Sequence, residues 1–131
     1  MGERDQQFTT YVAGQRPTLF RTALLLCGGD AHRAEDVVQQ ALVKLYRAWP
    51  RVVRDGQVDA YARRILVNAH TDEVRRPWRR ERPVDGGDAR FDVPAPVEMG
   101  VEDADALWAA LRGLAAGQRR VVVLRHYLGL S

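Results

Sequence analysis

The segment YARRILVNAHTDEVRRPWRRER (residues 61–82) gathers three kinds of side chain that together can hold a nucleic acid. Read as a helix, it places Ala62, Ile65, Leu66 and Ala69 on a face that turns to a core, and Arg64, Asn68, Thr71 and Arg75 on a second, polar stripe. Arginine offers a planar guanidinium to phosphates and bases. Asparagine offers a donor and an acceptor to one base edge, and tryptophan offers a flat surface for stacking. Arg63, Arg64, Asn68, Thr71, Arg75, Arg76, Trp78, Arg79 and Arg80 are therefore the candidate nucleic-acid contacts. Two rival roles stay open: Asn68 as an ordinary surface residue at a position where asparagine is a poor helix former, and Trp78 as a lid on the apolar core.

Charge is distributed in blocks. Residues 59–83 carry seven arginines against Asp59, Asp72, Glu73 and Glu81, whereas residues 84–106 carry one arginine against seven carboxylates. Residues 107–131 return to four arginines and no acid. A net charge of +3 conceals this basic, acidic, basic order, which fits two basic modules on an acidic linker touching a polyanion.

The elements that must position these residues are helical. Residues 8–27 hold apolar side chains at helical spacing, interrupted by Pro17, and predict two helices or one kinked helix closing at Gly28-Gly29. Asp30 is the expected cap of the next helix, residues 31–49, whose stripe of Ala34, Val37, Val38, Ala41, Leu42, Leu45, Tyr46 and Trp49 is the most regular in the chain. Pro50 is expected to end it, with residues 51–57 a loop turning at Asp55-Gly56. The helix of the basic segment should stop before Pro77. Residues 83–100 hold three prolines, three glycines and scattered acids and read as a mobile linker, open to proteases between Arg82 and Glu102. Two short helices follow, over residues 107–114 and 118–128, with a turn at Ala116-Gly117. No strand is predicted, so the fold class is all-α.

Size and composition exclude several functions. At 131 residues, 46% hydrophobic and 28% charged, the chain can bury one core and a small second one but no large enzyme cavity. No apolar run is long enough to span a bilayer and the start, MGERDQQF, lacks a secretion pattern, so a cytoplasmic protein is expected. The single cysteine, Cys27, sits in an apolar run and reads as a buried, inert thiol. His32, His70 and His126 have no partner ligands at metal spacing, and His70 reads as a helix-surface residue. No phosphate-cradling glycine loop or nucleophile elbow is present, and Asp72 and Glu73 are adjacent and so point apart. No catalytic residue, metal site or cofactor is assigned, and no enzyme is expected.

The runs AEDVVQQALVKLYRAW (residues 34–49), YARRILVNAHTDEVRR (61–76) and LWAALRGLAAGQRRVVVLRHYLGLS (107–131) resemble the extracytoplasmic-function sigma factors of bacterial RNA polymerase. The resemblance covers essentially the whole chain and suits an actinobacterial sequence rich in arginine, alanine, glycine and valine. It implies a helical region 2 domain over residues 1–82 that binds polymerase and melts the minus-ten element, an acidic flexible linker over 83–106, and the start of a helical region 4 domain over 107–131. In the family, the final GLS leads into the helix-turn-helix that reads the minus-thirty-five element, so that reading is not assigned to these residues. A second departure is Ala116-Gly117, where the family often has proline.

Roles follow from the resemblance. The counterpart of residues 34–49 docks on the coiled coil of the polymerase beta-prime subunit, and Asp36, Gln39, Gln40, Val43, Lys44 and Arg47, which lie off the apolar stripe, are the positions expected to make that contact. The counterpart of residues 61–80 holds the minus-ten element as a single strand. There Asn68 matches an asparagine that helps capture an extruded base, while Arg64, Arg75 and Arg76 meet phosphates. Promoter DNA and core polymerase are the implied partners, with an anti-sigma factor a further one. A truncated sigma-like protein that binds polymerase or an anti-sigma factor without directing initiation is the alternative, and a stand-alone helical regulator is a weaker one.

Overall fold

The computed structural model describes residues 2–75 and 101–129, and every regular element among them is helical. The expected all-α class is what the described residues form. The linker expected over residues 83–100 lies outside them.

Helix α1, Glu3–Leu26, is one element running through Pro17. Proline removes the bond that its own N–H would make to the Ala13 carbonyl, but Ala13, Gly14 and Pro17 are all exposed, so water can take that carbonyl. The helix ends as expected at Gly28-Gly29. Gly28 N–H donates to the Leu25 carbonyl and Gly29 N–H to the Leu24 carbonyl, a Schellman closure that needs the positive φ both glycines adopt. Asp30 then caps helix α2, Ala31–Asp55, accepting from the Arg33 N–H at 3.2 Å.

The expectation that Pro50 ends this helix is wrong, because α2 continues to Asp55 and closes at Gly56 in the left-handed region. An interior proline costs roughly 3 kcal/mol, partly by orphaning the carbonyl four residues back. Here that carbonyl belongs to Tyr46, and Arg4 of α1 donates to it at 2.9 Å while its guanidinium lies 4.8 Å from the Tyr46 ring centre. Continuation also buries Val52 completely, on the same side as Trp49, whose ring packs edge-on against Phe8 at 5.3 Å. Burying a side chain such as Val52 contributes about 1.5–3 kcal/mol, comparable to the proline's cost. These contacts lie more than forty residues apart in sequence, as the Arg4–Tyr46 pair shows.

Helix α3, Val58–Arg75, packs on α2 and α1. Its buried side is the predicted one, with Ala62, Leu66 and Ala69 almost fully enclosed. Helix α4, Val101–Gly113, starts six residues before the expected Leu107, taking in residues assigned to the linker. Buried Ala104, Trp108 and Leu111 continue one stripe along it. Helix α5, Ala116–Val122, includes the Ala116-Gly117 pair expected to turn; the turn lies at Leu114-Ala115 instead. Gln118 stabilises that start by accepting from the Ala115 N–H. The chain then makes a wider π turn, Val123–Tyr127, marked by the Leu128 N–H reaching the Val123 carbonyl at 3.1 Å.

Among the described residues the two halves pack together. Trp108, Leu111 and Val123 join the core built by α1, α2 and α3. The acidic and basic blocks gave no sign of this, because the docking surface is a helix end rather than a charged face.

Candidate nucleic-acid interface

The α3 stripe divides much as its spacing predicts. Arg64, Asn68 and Arg75 are exposed, whereas Thr71 is half-buried and donates its hydroxyl to the Val67 carbonyl at 3.0 Å, a bond within its own helix. Thr71 is therefore held by the backbone rather than presented outward. Arg63 is half-buried beside the pair formed by the Tyr11 hydroxyl and Asp59, which meet at 2.7 Å. Burial and that carboxylate raise the Tyr11 phenol well above its ordinary range, so it remains a proton donor that ties α1 to the first turn of α3. Arg76, Trp78, Arg79 and Arg80 lie outside the described residues.

A shallow, mostly apolar cleft opens on this face, lined by Ala60, Arg63, Arg64, Val67, Asn68 and Leu124. Its chemistry suits a flat ring with a polar edge: two guanidiniums, one carboxamide and an aliphatic floor. Ala60 and Val67 were not among the residues assigned from the sequence. Neither was Leu124, which comes from the far end of the chain and which nothing local marks.

Behind the stripe, α3 carries a buried polar seam. His70 is 2% exposed and Glu73 is 3% exposed, which corrects the expectation that His70 lies on the surface. Burial lowers the His70 imidazole to about 4, helped by the cationic Arg120, Arg119 and Arg33 and partly opposed by a hydrogen bond to the Leu26 carbonyl. It is therefore neutral near pH 7. Glu73 accepts from Gln40 of α2 at 3.4 Å, while its neighbour Asp72 turns outward to Lys44 at 3.1 Å, so the two carboxylates do point apart. Cys27 is buried too, and desolvation pushes its thiol up to about 12, in keeping with an inert core residue.

The α2 residues off the apolar stripe fall into two sets. Gln40 and Lys44 are engaged with α3 through Glu73 and Asp72. Asp36, Gln39, Val43 and Arg47 are exposed at successive helical steps, with Val43 showing 52% of its surface. An exposed valine amid polar neighbours on an otherwise regular amphipathic helix marks a face that another surface can cover.

Residues 4–80, which hold all of α2 and α3 and nearly all of α1, match the Sigma-70 region 2 family. The chain belongs to the sigma factors of RNA polymerase, in the extracytoplasmic-function, sigma-E-like group. It is 34% identical over 128 residues to the RNA polymerase sigma-E factor of Streptomyces avermitilis, covering 95% of this chain and 68% of that protein. Against the sigma-E factor of Streptomyces coelicolor the identity is 32% over 128 residues, covering 95% and 69%. The Streptomyces antibioticus protein of the same name is 33% identical. No solved structure matches the chain. In this sigma factor the matched region carries both candidate faces, and α4 and α5 follow it. Among the described residues no helix is long and apolar enough to cross a membrane.

Proposed function

We propose that this sigma factor binds core RNA polymerase through the exposed side of α2 and holds the minus-ten element of a promoter as a single strand on the polar side of α3. The observation that carries the proposal is the mostly apolar cleft that Asn68, Arg63 and Arg64 line together with Ala60, Val67 and Leu124. Such a site can take an unstacked base against its apolar lining and the neighbouring phosphates against Arg63 and Arg64; a duplex presents the phosphates but not the unstacked base. Strand separation costs a few kcal/mol per base, and base capture together with phosphate contacts offsets that cost. Asp36, Gln39, Val43 and Arg47 form the surface for the polymerase, with the beta-prime coiled coil as its counterpart. Arg76, Arg79 and Arg80 would extend the phosphate track, and Trp78 would offer a ring on which a base can stack. The chain itself performs no catalysis in this scheme, since RNA synthesis belongs to the polymerase it recruits.

Run-off transcription with purified core polymerase is the test. A sigma factor binds polymerase and starts transcripts at a defined position. A protein that binds polymerase or an anti-sigma factor without directing initiation gives a complex and no transcript, and that result would remove the promoter-melting assignment.

A further inference from the structure

We infer that Tyr11 of α1 is a positioning residue for the cleft: its hydroxyl holds the Asp59 carboxylate to α1 and so keeps Arg63 available to a nucleic-acid phosphate. The inference rests on the assignment of that face to single-stranded DNA.

Asp59 and Arg63 stand four residues apart on α3 with the acid nearer the N-terminus, the order in which a helical ion pair forms best. No such pair forms among the described residues. The Asp59 carboxylate instead accepts the Tyr11 hydroxyl at 2.7 Å, while Arg63, within electrostatic reach of that hydroxyl, lines the cleft with Arg64 and Asn68. Two groups thus compete for one carboxylate, and the phenol holds it. Its ring is fixed beforehand, packed on the buried Trp49 with centroids 5.5 Å apart, so little side-chain freedom is lost when the hydroxyl donates. Arginine gives up more freedom for the same contact, and pairs at a surface stabilise little. The consequence is electrostatic. A guanidinium paired within its own helix offers a phosphate little net charge, whereas an unpaired one displaces a counterion when DNA binds. Arg64 needs no such arrangement, because the residue four before it is Ala60. The other exposed carboxylate of α3 is treated in the same way: Asp72 stands three residues before the exposed Arg75, and Lys44 of α2 holds it at 3.1 Å.

The test follows a fluorescein-labelled single-stranded oligonucleotide of minus-ten-like sequence by anisotropy, with the whole chain bound to core polymerase and core polymerase alone as the baseline. Tyr11→Phe keeps the ring and removes the hydroxyl. It should weaken binding by about two- to fourfold near 0.15 M salt and lower the salt slope by as much as about 0.7, the share of one phosphate contact on a single strand. Adding Asp59→Asn to that variant should restore wild-type affinity and slope, because the amide has no charge with which to hold Arg63. In an Arg63→Gln background, Tyr11→Phe should change neither. Unaltered binding by Tyr11→Phe overturns the inference. A loss that persists with Asp59→Asn, or that appears without Arg63, overturns it too and leaves the hydroxyl a strut between α1 and α3. Failure of the cleft as the DNA site looks different and takes the inference with it: Arg63→Gln and Asn68→Ala would then leave oligonucleotide binding unchanged.

Discussion

Acid should loosen this protein through His70, and the size of the effect follows from its surroundings. The imidazole is enclosed at 2% exposure, facing the Leu26 carbonyl from α1, Arg33 from α2, and Arg119 and Arg120 from α5, with Glu73 one turn along its own helix. The folded-state pKa is lowered from 6.5 to about 4. A lowered histidine binds its proton in the unfolded chain first, so between these values the unfolded state holds more protons and acid favours it. The stabilisation is complete above about pH 6.5 and is lost as pH falls toward 4. With one pKa unit equal to about 1.4 kcal/mol, the loss between pH 7.5 and pH 4.5 is about 2–3 kcal/mol. Urea titrations of the wild type and His70→Gln at several pH values isolate it, because other carboxylates titrate alike in both and glutamine can still donate to the Leu26 carbonyl. The wild type should lose about 2–3 kcal/mol more than the variant over that range. Parallel pH curves would refute the reasoning and place at this position a histidine that takes up its proton as readily in the fold as in the unfolded chain.

Asp36→Arg and Val43→Asp should each weaken binding to core polymerase by roughly tenfold or more while shifting stability by only about 0.5 kcal/mol, as read by anisotropy and thermal melts. Asn68→Ala should lower affinity for one preferred single-stranded sequence and leave scrambled DNA nearly unaffected; Arg64→Ala or Arg75→Ala should weaken all sequences alike and reduce the salt slope by about 0.7 per lost phosphate contact. Gly29→Ala should destabilise the fold by at least about 1–2 kcal/mol in urea, because φ there is +92° and the added methyl meets Trp108.

The parts of the fold that were legible in the sequence are those written in local chemistry. The α2 stripe, the Gly28-Gly29 closure, the Asp30 cap and the alternation of faces on α3 each depend on residues within a few positions of one another. Pro50 was misread because its cost is local and its compensation is not. The Tyr46 carbonyl it abandons is satisfied by Arg4, and Val52 beyond it is buried. His70 was misread for a similar reason. On α3 alone it falls between the apolar and polar stripes, and the groups that surround it, from α1, α2 and α5, come from distant parts of the chain. For the site, Arg64, Asn68 and Arg75 were visible as an exposed stripe, while Leu124 and the withdrawal of Thr71 into its own helix needed coordinates.

The end of α1 connects these misreadings. Its Schellman closure uses the Leu24 and Leu25 carbonyls and leaves the Leu26 carbonyl pointing away from the helix. A buried orphan acceptor costs about 1–3 kcal/mol, so something must meet it. Arg119 does so from α5, and the buried His70 of α3 lies beside the same carbonyl. One oxygen thus joins the C-terminal helices to the helix proposed to carry the DNA. Protonating His70 would set a third cation beside Arg119 and Arg120 around that oxygen, so the charge that destabilises the fold in acid should also push α5 outward first. Faster α5 exchange at pH 5 than at pH 7.5, after correction for the intrinsic rate, and its absence in His70→Gln, would tie the two behaviours to the same atom. Acid unfolding with α5 and α3 losing protection together would separate them.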